Sequence, residues 1–341
     1  AEAQRGAIVT TEIEMLMEMC PCKMIGVTGS DGKTTTTSLI NHILEKAGYN
    51  TFLGGNIGTP LFTKLPEMTP EDIVVLELSS FQLMNMQVSP QIAVMTNVTP
   101  NHLNIHKDYD EYIEAKKCIF KNQNEDDILI LNYDNEYLRN YSYNGTSYLI
   151  SYGKNADFSY RVLEDYVNIY AYNEFVFKFK NNGYDEIDIS NMMPGIILGV
   201  LYKIDYNQLI FRLENIKRPA SRQRILEIGN SIIIDDSFNS NLKGALKALE
   251  QLKHYNKKKI IITPGFVECK KLLPNLYLKY AKRINEICDY AYIVKLSTSK
   301  ILYDLIEINH SYVRSVDEAR LMLSFNNEAV LIENDVPDIY L

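Results

Sequence analysis

The sequence has no tryptophan and only five cysteines in 341 residues. Those cysteines (Cys20, Cys22, Cys118, Cys269 and Cys288) form no C-x-x-C pair and no zinc-ligand spacing. Unpaired thiols in a reducing compartment are therefore expected, rather than a disulfide scaffold or a structural zinc site. No apolar run approaches the ~20 residues that span a bilayer, and no basic-then-apolar leader opens the chain. A cytoplasmic protein with no membrane partner is the expectation. Blocks of lysine or arginine are also missing, and the net charge is −8. This excludes a sequence-independent nucleic-acid binder, whose affinity comes from neutralising phosphates. The chain starts Ala1-Glu2-Ala3-Gln4 without methionine, as a processed or partial chain would. Internal repeats and low-complexity tracts are absent.

What is present is an ordinary globular composition, 46% hydrophobic and 23% charged, long enough for two domains. Apolar runs of strand length (Met24 to Val27, Ile73 to Leu76, Ile92 to Thr96, Ile128 to Leu131) alternate with helix-like stretches. That alternation predicts an α/β fold with a mostly parallel sheet. Between about Ser147 and Ile189 aromatics recur at Tyr170, Tyr172, Phe175, Phe177 and Phe179, as in a small antiparallel extension whose rings serve packing. After Lys217-Arg218-Pro219-Ala220-Ser221-Arg222 a second α/β series follows: strands Ser231 to Ile234, Lys259 to Thr263 and Tyr290 to Val294, with helices Lys243 to His254 and Leu276 to Cys288. The Pro-containing junction sets the expected boundary. The expected domains are a remnant of an N-terminal domain or linker (1–20), a phosphate-loop central domain (21–216) and a Rossmann-like C-terminal domain (217–341).

The most informative stretch is Thr28-Gly29-Ser30-Asp31-Gly32-Lys33-Thr34, which follows an apolar run and opens a helical segment, Thr35 to Ala47. Glycines there allow a tight turn that aims backbone N–H groups at phosphate oxygens. Lys33 supplies a cation and Thr34 a hydroxyl for Mg²⁺. The spelling is a variant, because Val27 stands where the common pattern has its first glycine. Glu77 closes the run Ile73-Val74-Val75-Leu76, placing a carboxylate at the C-terminal end of a buried strand, where α/β sheets gather ligand groups. With Thr34 and phosphate oxygens it would complete a magnesium site; a merely solvated strand end is the plain alternative. His102, after a strand and the Pro100 turn, reads as loop-exposed rather than core. Lys116, beside Lys117 on a helical segment, reads as a solvated surface lysine.

Five ordered segments carry a family resemblance: Thr28 to Thr34, Gly54-Gly55-Asn56-Ile57-Gly58-Thr59-Pro60, Glu77-Leu78-Ser79-Ser80-Phe81-Gln82, Asn101-His102-Leu103 and Tyr112-Ile113-Glu114-Ala115-Lys116-Lys117. Together they resemble the Mur ligases of peptidoglycan synthesis, and most closely the members that add D-glutamate. The resemblance implies ATP-dependent amide formation, in which a substrate carboxylate takes the γ-phosphoryl group and an amine then displaces phosphate. It implies ATP binding by Gly29, Ser30, Asp31, Gly32, Lys33, Thr34 and Thr35, with Lys33, Lys116 and His102 catalytic. Two Mg²⁺ sites would draw on Thr34, Glu77, His102 and Lys116, the last as a carbamylated lysine carrying a CO₂-derived carboxylate. Asn56 and Ser79 would contact the nucleotide-sugar substrate. The partners would be UDP-N-acetylmuramoyl-L-alanine and D-glutamate, with the protein a monomer.

The second half departs from that pattern. Ile234-Asp235-Asp236-Ser237-Phe238-Asn239-Ser240-Asn241, Ile262-Thr263-Pro264-Gly265-Phe266-Val267-Glu268 and Ile332-Glu333-Asn334-Asp335-Val336-Pro337-Asp338 resemble instead the Mur ligases that add D-alanyl-D-alanine to a later UDP-muramoyl peptide. There the resemblance implies nucleotide contacts from Arg222, Asp236 and Asn239. A solvated strand end is the plain alternative for Asp235 and Asp236. The family's N-terminal UDP-binding domain is largely absent, with only Ala1 to Cys20 able to represent its end. Its His-Asn pattern is also not evident, Asp188-Ile189-Ser190-Asn191 standing in that place. Two other readings remain open: a related amide ligase such as folylpolyglutamate synthetase, and a non-catalytic nucleotide-binding core.

Overall fold

Strands in this chain form where short apolar runs can be covered on both faces. The computed structural model describes residues 10–99, 106–216, 224–236, 242–266 and 273–333. It divides into a first unit of residues 1–100 and 108–216 and a second of 101–107 and 217–341.

In the first unit the elements run α1 (Glu12–Met19), β1 (Lys23–Thr28), α2 (Lys33–Glu45), β2 (Thr51–Gly55), β3 (Ile73–Glu77), α3 (Ser80–Leu83), β4 (Ile92–Met95), α4 (Tyr109–Lys121), β5 (Ile128–Asn132), α5 (Glu136–Asn140) and β6 (Tyr148–Tyr152). They continue with β7 (Phe158–Val162), β8 (Tyr166–Ala171), β9 (Glu174–Lys180), α6 (Glu186–Leu201) and α7 (Tyr206–Glu214). The sheet order is β2-β3-β1-β4-β5-β6-β7-β8-β9. Strands β2 to β6 pair in parallel, whereas β7-β8 and β8-β9 are antiparallel. The expected antiparallel extension is thus present, but it ends at Lys180, and Asp188 and Ile189 already belong to α6.

Successive residues of the central strands face opposite layers. Ile25, Val27, Ile73 and Val75 pack with Leu39, Ile40 and Ile43 of α2 and Met193, Ile196 and Ile197 of α6. Met24, Val74 and Leu76 pack instead with Leu16 of α1 and Tyr112, Ile113 and Ile119 of α4. This two-sided burial is why the parallel strands read as continuous apolar runs rather than alternating ones. Phe177 and Phe179 join the first of these cores, but Tyr172 and Phe175 stay more than half exposed. These two flank the β8-β9 hairpin, where Tyr172 and Asn173 both take positive φ.

The second unit contains β10 (Arg224–Ile228), β11 (Ser231–Asp236), α8 (Leu242–Lys253), β12 (Lys258–Thr263), α9 (Leu273–Ile287), β13 (Tyr290–Val294), α10 (Ser299–Leu305), β14 (Asn309–Val313), α11 (Val316–Leu321) and β15 (Glu328–Glu333). Its sheet order is β10-β11-β15-β12-β13-β14, with only β10 antiparallel to its neighbour. Helices α8 and α9 bury Leu249, Leu252, Tyr280 and Ile284 against one face of this sheet. The other face carries Ile233, Ile260, Ile262 and Val330, with Val316 and Ala319 of α11. Among the described residues no helix is long and apolar enough to cross a membrane.

Candidate active site

Strand order reverses at β1, whose neighbours are β3 on one side and β4 on the other. Open α/β sheets bind ligands in the crevice beyond the carboxyl ends of strands at such a point. Three strand ends converge there: the β1-α2 loop, Glu77 closing β3, and Thr96-Asn97 following β4.

The loop from Gly29 to Gly32 is held from outside. Asn97 accepts from the Asp31 N–H at 2.8 Å through Oδ1 and donates to the Asp31 carbonyl at 3.1 Å through Nδ2. The Thr96 hydroxyl donates to the same carbonyl at 2.6 Å. Gly29 has no room for a side chain, since a Cβ would lie 1.9 Å from the Thr96 hydroxyl oxygen. Gly32 takes φ +76 as the N-cap of α2, and a Cβ on it would meet the Asn191 Oδ1 of α6 at 2.3 Å. Helix α2 has no side-chain cap, whereas α3, α4, α5, α6 and α7 each have one. With no side-chain cap on its first amides, the N-terminus of α2 and the positive end of its dipole are suited to phosphate.

Lys33 folds back so that its ammonium donates to the Ser30 carbonyl at 2.9 Å. The Thr34 hydroxyl donates to Glu77 Oε2 at 2.8 Å, and the Asn56 amide donates to Glu77 Oε1 at 3.0 Å. Glu77 is 1% exposed, so this buried carboxylate has a partner on each oxygen, as burial of charge requires. Adjacent ligands of an octahedral magnesium ion at about 2.1 Å lie roughly 3 Å apart. Thr34 Oγ1 and Glu77 Oε2 already have that spacing. Among the described residues no three His, Cys, Asp or Glu side chains cluster as a metal site. An ion here would depend on this hydroxyl-carboxylate pair together with phosphate oxygens.

Lys116 corrects the surface reading. Asp108 caps α4 by accepting from the Glu111 N–H at 2.9 Å, and Tyr112, Ile113, Lys116, Ile119 and Phe120 form its buried stripe. Lys116 is 1% exposed. Its ammonium donates to the Gly29 carbonyl at 2.7 Å and lies 4.6 Å from the centroid of the Tyr112 ring. Desolvation, then the charge of Lys33, holds the amine well below the usual lysine range, against the opposing pull of Asp31 and Glu77. The helical period of that stripe, with a lysine at its centre, was the available sequence signal.

Ser79 is the half-buried N-cap of α3 in a capping box with Gln82. Thr35 is half-buried in the first turn of α2. Asn56 is exposed apart from its bond to Glu77. His102, Arg222 and Asn239 lie outside the described residues. Asp236 belongs to the second unit and is 2% exposed, so it is not a solvated strand end. Asp235 reaches the guanidinium of Arg320 at 3.7 Å. Sequence reasoning gave no role to Thr96 or Asn97, which clamp the loop. Asn191, named in the sequence only as standing in place of the His-Asn pattern, is set by α6 against Gly32; Asn132, which donates to the Thr96 carbonyl at 2.8 Å, was given no role.

Residues 27–196 match the Mur ligase middle domain, and the relatives this chain resembles are Mur ligases. It is 62% identical over 133 residues to the UDP-N-acetylmuramoylalanine–D-glutamate ligase of Clostridium kluyveri, covering 39% of this chain and 29% of that protein. With the Clostridium acetobutylicum protein of the same name the identity is 48% over 189 residues, 55% of this chain and 40% of the relative. The matched segment therefore spans less than half of each curated relative. The fold extends further. The MurF ligase of Thermotoga maritima in complex with ADP superposes with TM-score 0.72 at 21% identity, over 94% of this chain and 78% of that one. The UDP-N-acetylmuramate-alanine ligase MurC of the same organism gives TM-score 0.66 at 20% identity, over 93% and 73%.

Proposed function

We propose that this chain is the core of an ATP-dependent amide ligase of peptidoglycan precursor synthesis, adding D-glutamate to UDP-N-acetylmuramoyl-L-alanine. The observation that carries the reading is the phosphate loop joined through Thr34 to the buried Glu77, within a unit that matches D-glutamate ligases at up to 62% identity. Amide formation from a carboxylate needs activation, and the site is suited to placing negative groups together. The first amides of α2 and Lys33 would hold the β- and γ-phosphates, with Gly29, Ser30, Asp31, Gly32 and Thr35 shaping the loop. Thr34 and Glu77 would hold Mg²⁺, which when bound neutralises phosphate charge. The substrate carboxylate attacks the γ-phosphorus and ADP leaves. The amine of D-glutamate then attacks the acyl carbon and phosphate departs. Asn56 and Ser79 would face the nucleotide-sugar substrate. His102 would serve near the metals, and Arg222, Asp236 and Asn239 the nucleotide.

Lys116 is proposed as a carbamylated residue. Burial disfavours the ammonium of Lys116 and so raises its share of neutral amine, the form whose lone pair adds to CO₂ with loss of a proton. The resulting carboxylate would ligate or orient a second Mg²⁺, with Glu77 and His102 near the metals.

Phosphate release from ATP and Mg²⁺ tests the reading. UDP-N-acetylmuramoyl-L-alanine with D-glutamate is expected to support turnover. Turnover only with UDP-N-acetylmuramoyl-tripeptide and D-alanyl-D-alanine would assign the acceptor to the pattern around Asp235-Asp236. ATP binding without turnover in either mixture would leave a nucleotide-binding core and overturn the ligase assignment.

A further inference from the structure

Helix α4 carries a second buried polar side chain beside Lys116. Tyr112 lies one turn earlier on the same stripe, so the two side chains stand together. Its hydroxyl lies 2.9 Å from the hydroxyl of Ser30 in the phosphate loop. Ser30 spends its one hydrogen on the Thr99 carbonyl at 2.9 Å and accepts from the Thr99 N–H at 2.9 Å. A serine hydroxyl has one donor and two acceptor positions, so the Tyr112 hydroxyl is the donor in the shared bond. The ring of Tyr112 lies under the Lys116 amine, which in turn donates to the neighbouring loop residue Gly29. One side chain thus touches the loop through its hydroxyl and the lysine through its ring.

We infer that Tyr112 is a positioning residue with two separate roles: its ring sets how readily Lys116 is carbamylated, and its hydroxyl orders the phosphate loop through Ser30. The inference rests on the reading of Lys116 as a carbamylated residue. An aromatic face is negative and attracts a cation, while it repels a carboxylate. The Gly29 carbonyl likewise rewards an amine with hydrogens to donate. Carbamylation forms a bond from Nζ to the carbon of CO₂, moves one C=O electron pair onto oxygen and releases a proton to water. It replaces a donor of positive or neutral charge with an anion next to that face. The ring therefore favours the unmodified amine and raises the CO₂ concentration at which modification occurs. The hydroxyl, through Ser30, holds the loop independently of that charge.

The two parts separate by substitution. Carbamate at Lys116 is read directly by ¹³C NMR in ¹³C-bicarbonate, without reference to turnover, and Lys116→Ala identifies the signal. Tyr112→Leu removes ring and hydroxyl, and its half-saturating bicarbonate is expected to fall about three- to tenfold. Tyr112→Phe keeps the ring and the shape of the buried site. Its half-saturating bicarbonate is expected to match the parent chain, while its KM for ATP rises about three- to tenfold from loss of the Ser30 bond. Damage to packing alone would weaken carbamylation in Tyr112→Leu, the opposite direction. A rise or no change in its half-saturation overturns the role of the ring. An unchanged KM in Tyr112→Phe overturns the tie to the loop. Both failures leave the ligase reading standing if the parent chain shows the carbamate. A parent chain without the signal removes the modification, and this inference with it.

Discussion

Two buried titratable side chains give this protein opposite dependences on pH, one in each unit. Lys116 has a folded pKa well below its ordinary 10.5, so between those values the unfolded chain holds a proton that the folded chain has released. Stability of the first unit then rises with pH across that window, by up to ~1.4 kcal/mol per pH unit. Lys116→Met, which cannot titrate, is expected to flatten the rise in urea midpoint between pH 7 and 9. A parallel slope in both proteins would mean that Lys116 keeps its proton when folded. In the second unit Glu333 is fully buried and accepts from Thr263 at 2.9 Å and Tyr280 at 2.7 Å on one oxygen. Desolvation lifts it from 4.5 to about 8, with the nearby Asp236 adding to the shift. Here the folded chain keeps the proton that the unfolded chain loses. The stabilisation is complete below 4.5 and disappears as pH rises through 8. Glu333→Gln should gain on the parent chain from pH 5 to 8, on the order of 1 kcal/mol per unit. Urea titrations at those pH values check it, and a constant difference would show an ionised Glu333.

At the scale of elements, the site depends on where helices start. The open N-terminus of α2 requires Gly32 at positive φ with Asn191 against its Cα. Gly32→Ala would incur about 1–2 kcal/mol of left-handed strain as well as displacing Asn191. Its KM for ATP is expected to rise more than tenfold while the helix content by circular dichroism stays near the parent value. An unaltered KM would separate the loop conformation from nucleotide binding. Asn191 is placed in turn by α6, whose N-cap Asp185 accepts from Ile187 and Asp188 N–H groups at 2.9 Å. Strand runs such as Ile73 to Leu76 were legible in the sequence because both faces are covered, as were α2 and the lysine and threonine that open it. Helix α6 was not legible, since Met192 to Leu198 is apolar on every side and shows no 3.6-residue period. Strand β15 was missed for a different reason: its place between β11 and β12 is set by pairing partners far away in sequence. Thr34 and Glu77 could be paired from the sequence by their positions at a loop and a strand end. The burial of Lys116 could not be read from its charge, because the polar carbonyl that compensates it, Gly29, is 87 residues away.

For the whole molecule, the relevant fact is that each unit has its own hydrophobic cores. Each can therefore unfold cooperatively in its own right. The absence of tryptophan from the sequence makes a single reporter unambiguous: Phe52→Trp, at a half-buried position on β2, follows the first unit alone. If the phosphate loop binds nucleotide, Mg²⁺-ADP stabilises the folded form of this unit by mass action, about 2.7 kcal/mol at a hundred times the Kd. Lys33→Met, which removes the loop cation, should abolish most of that shift while leaving the transition without nucleotide within about 0.5 kcal/mol, as expected for a side chain outside the core. Tryptophan fluorescence during urea unfolding, with and without nucleotide, measures both quantities. A first unit whose transition does not move at saturating Mg²⁺-ADP would remove nucleotide binding from the loop, whatever the likeness of its sequence.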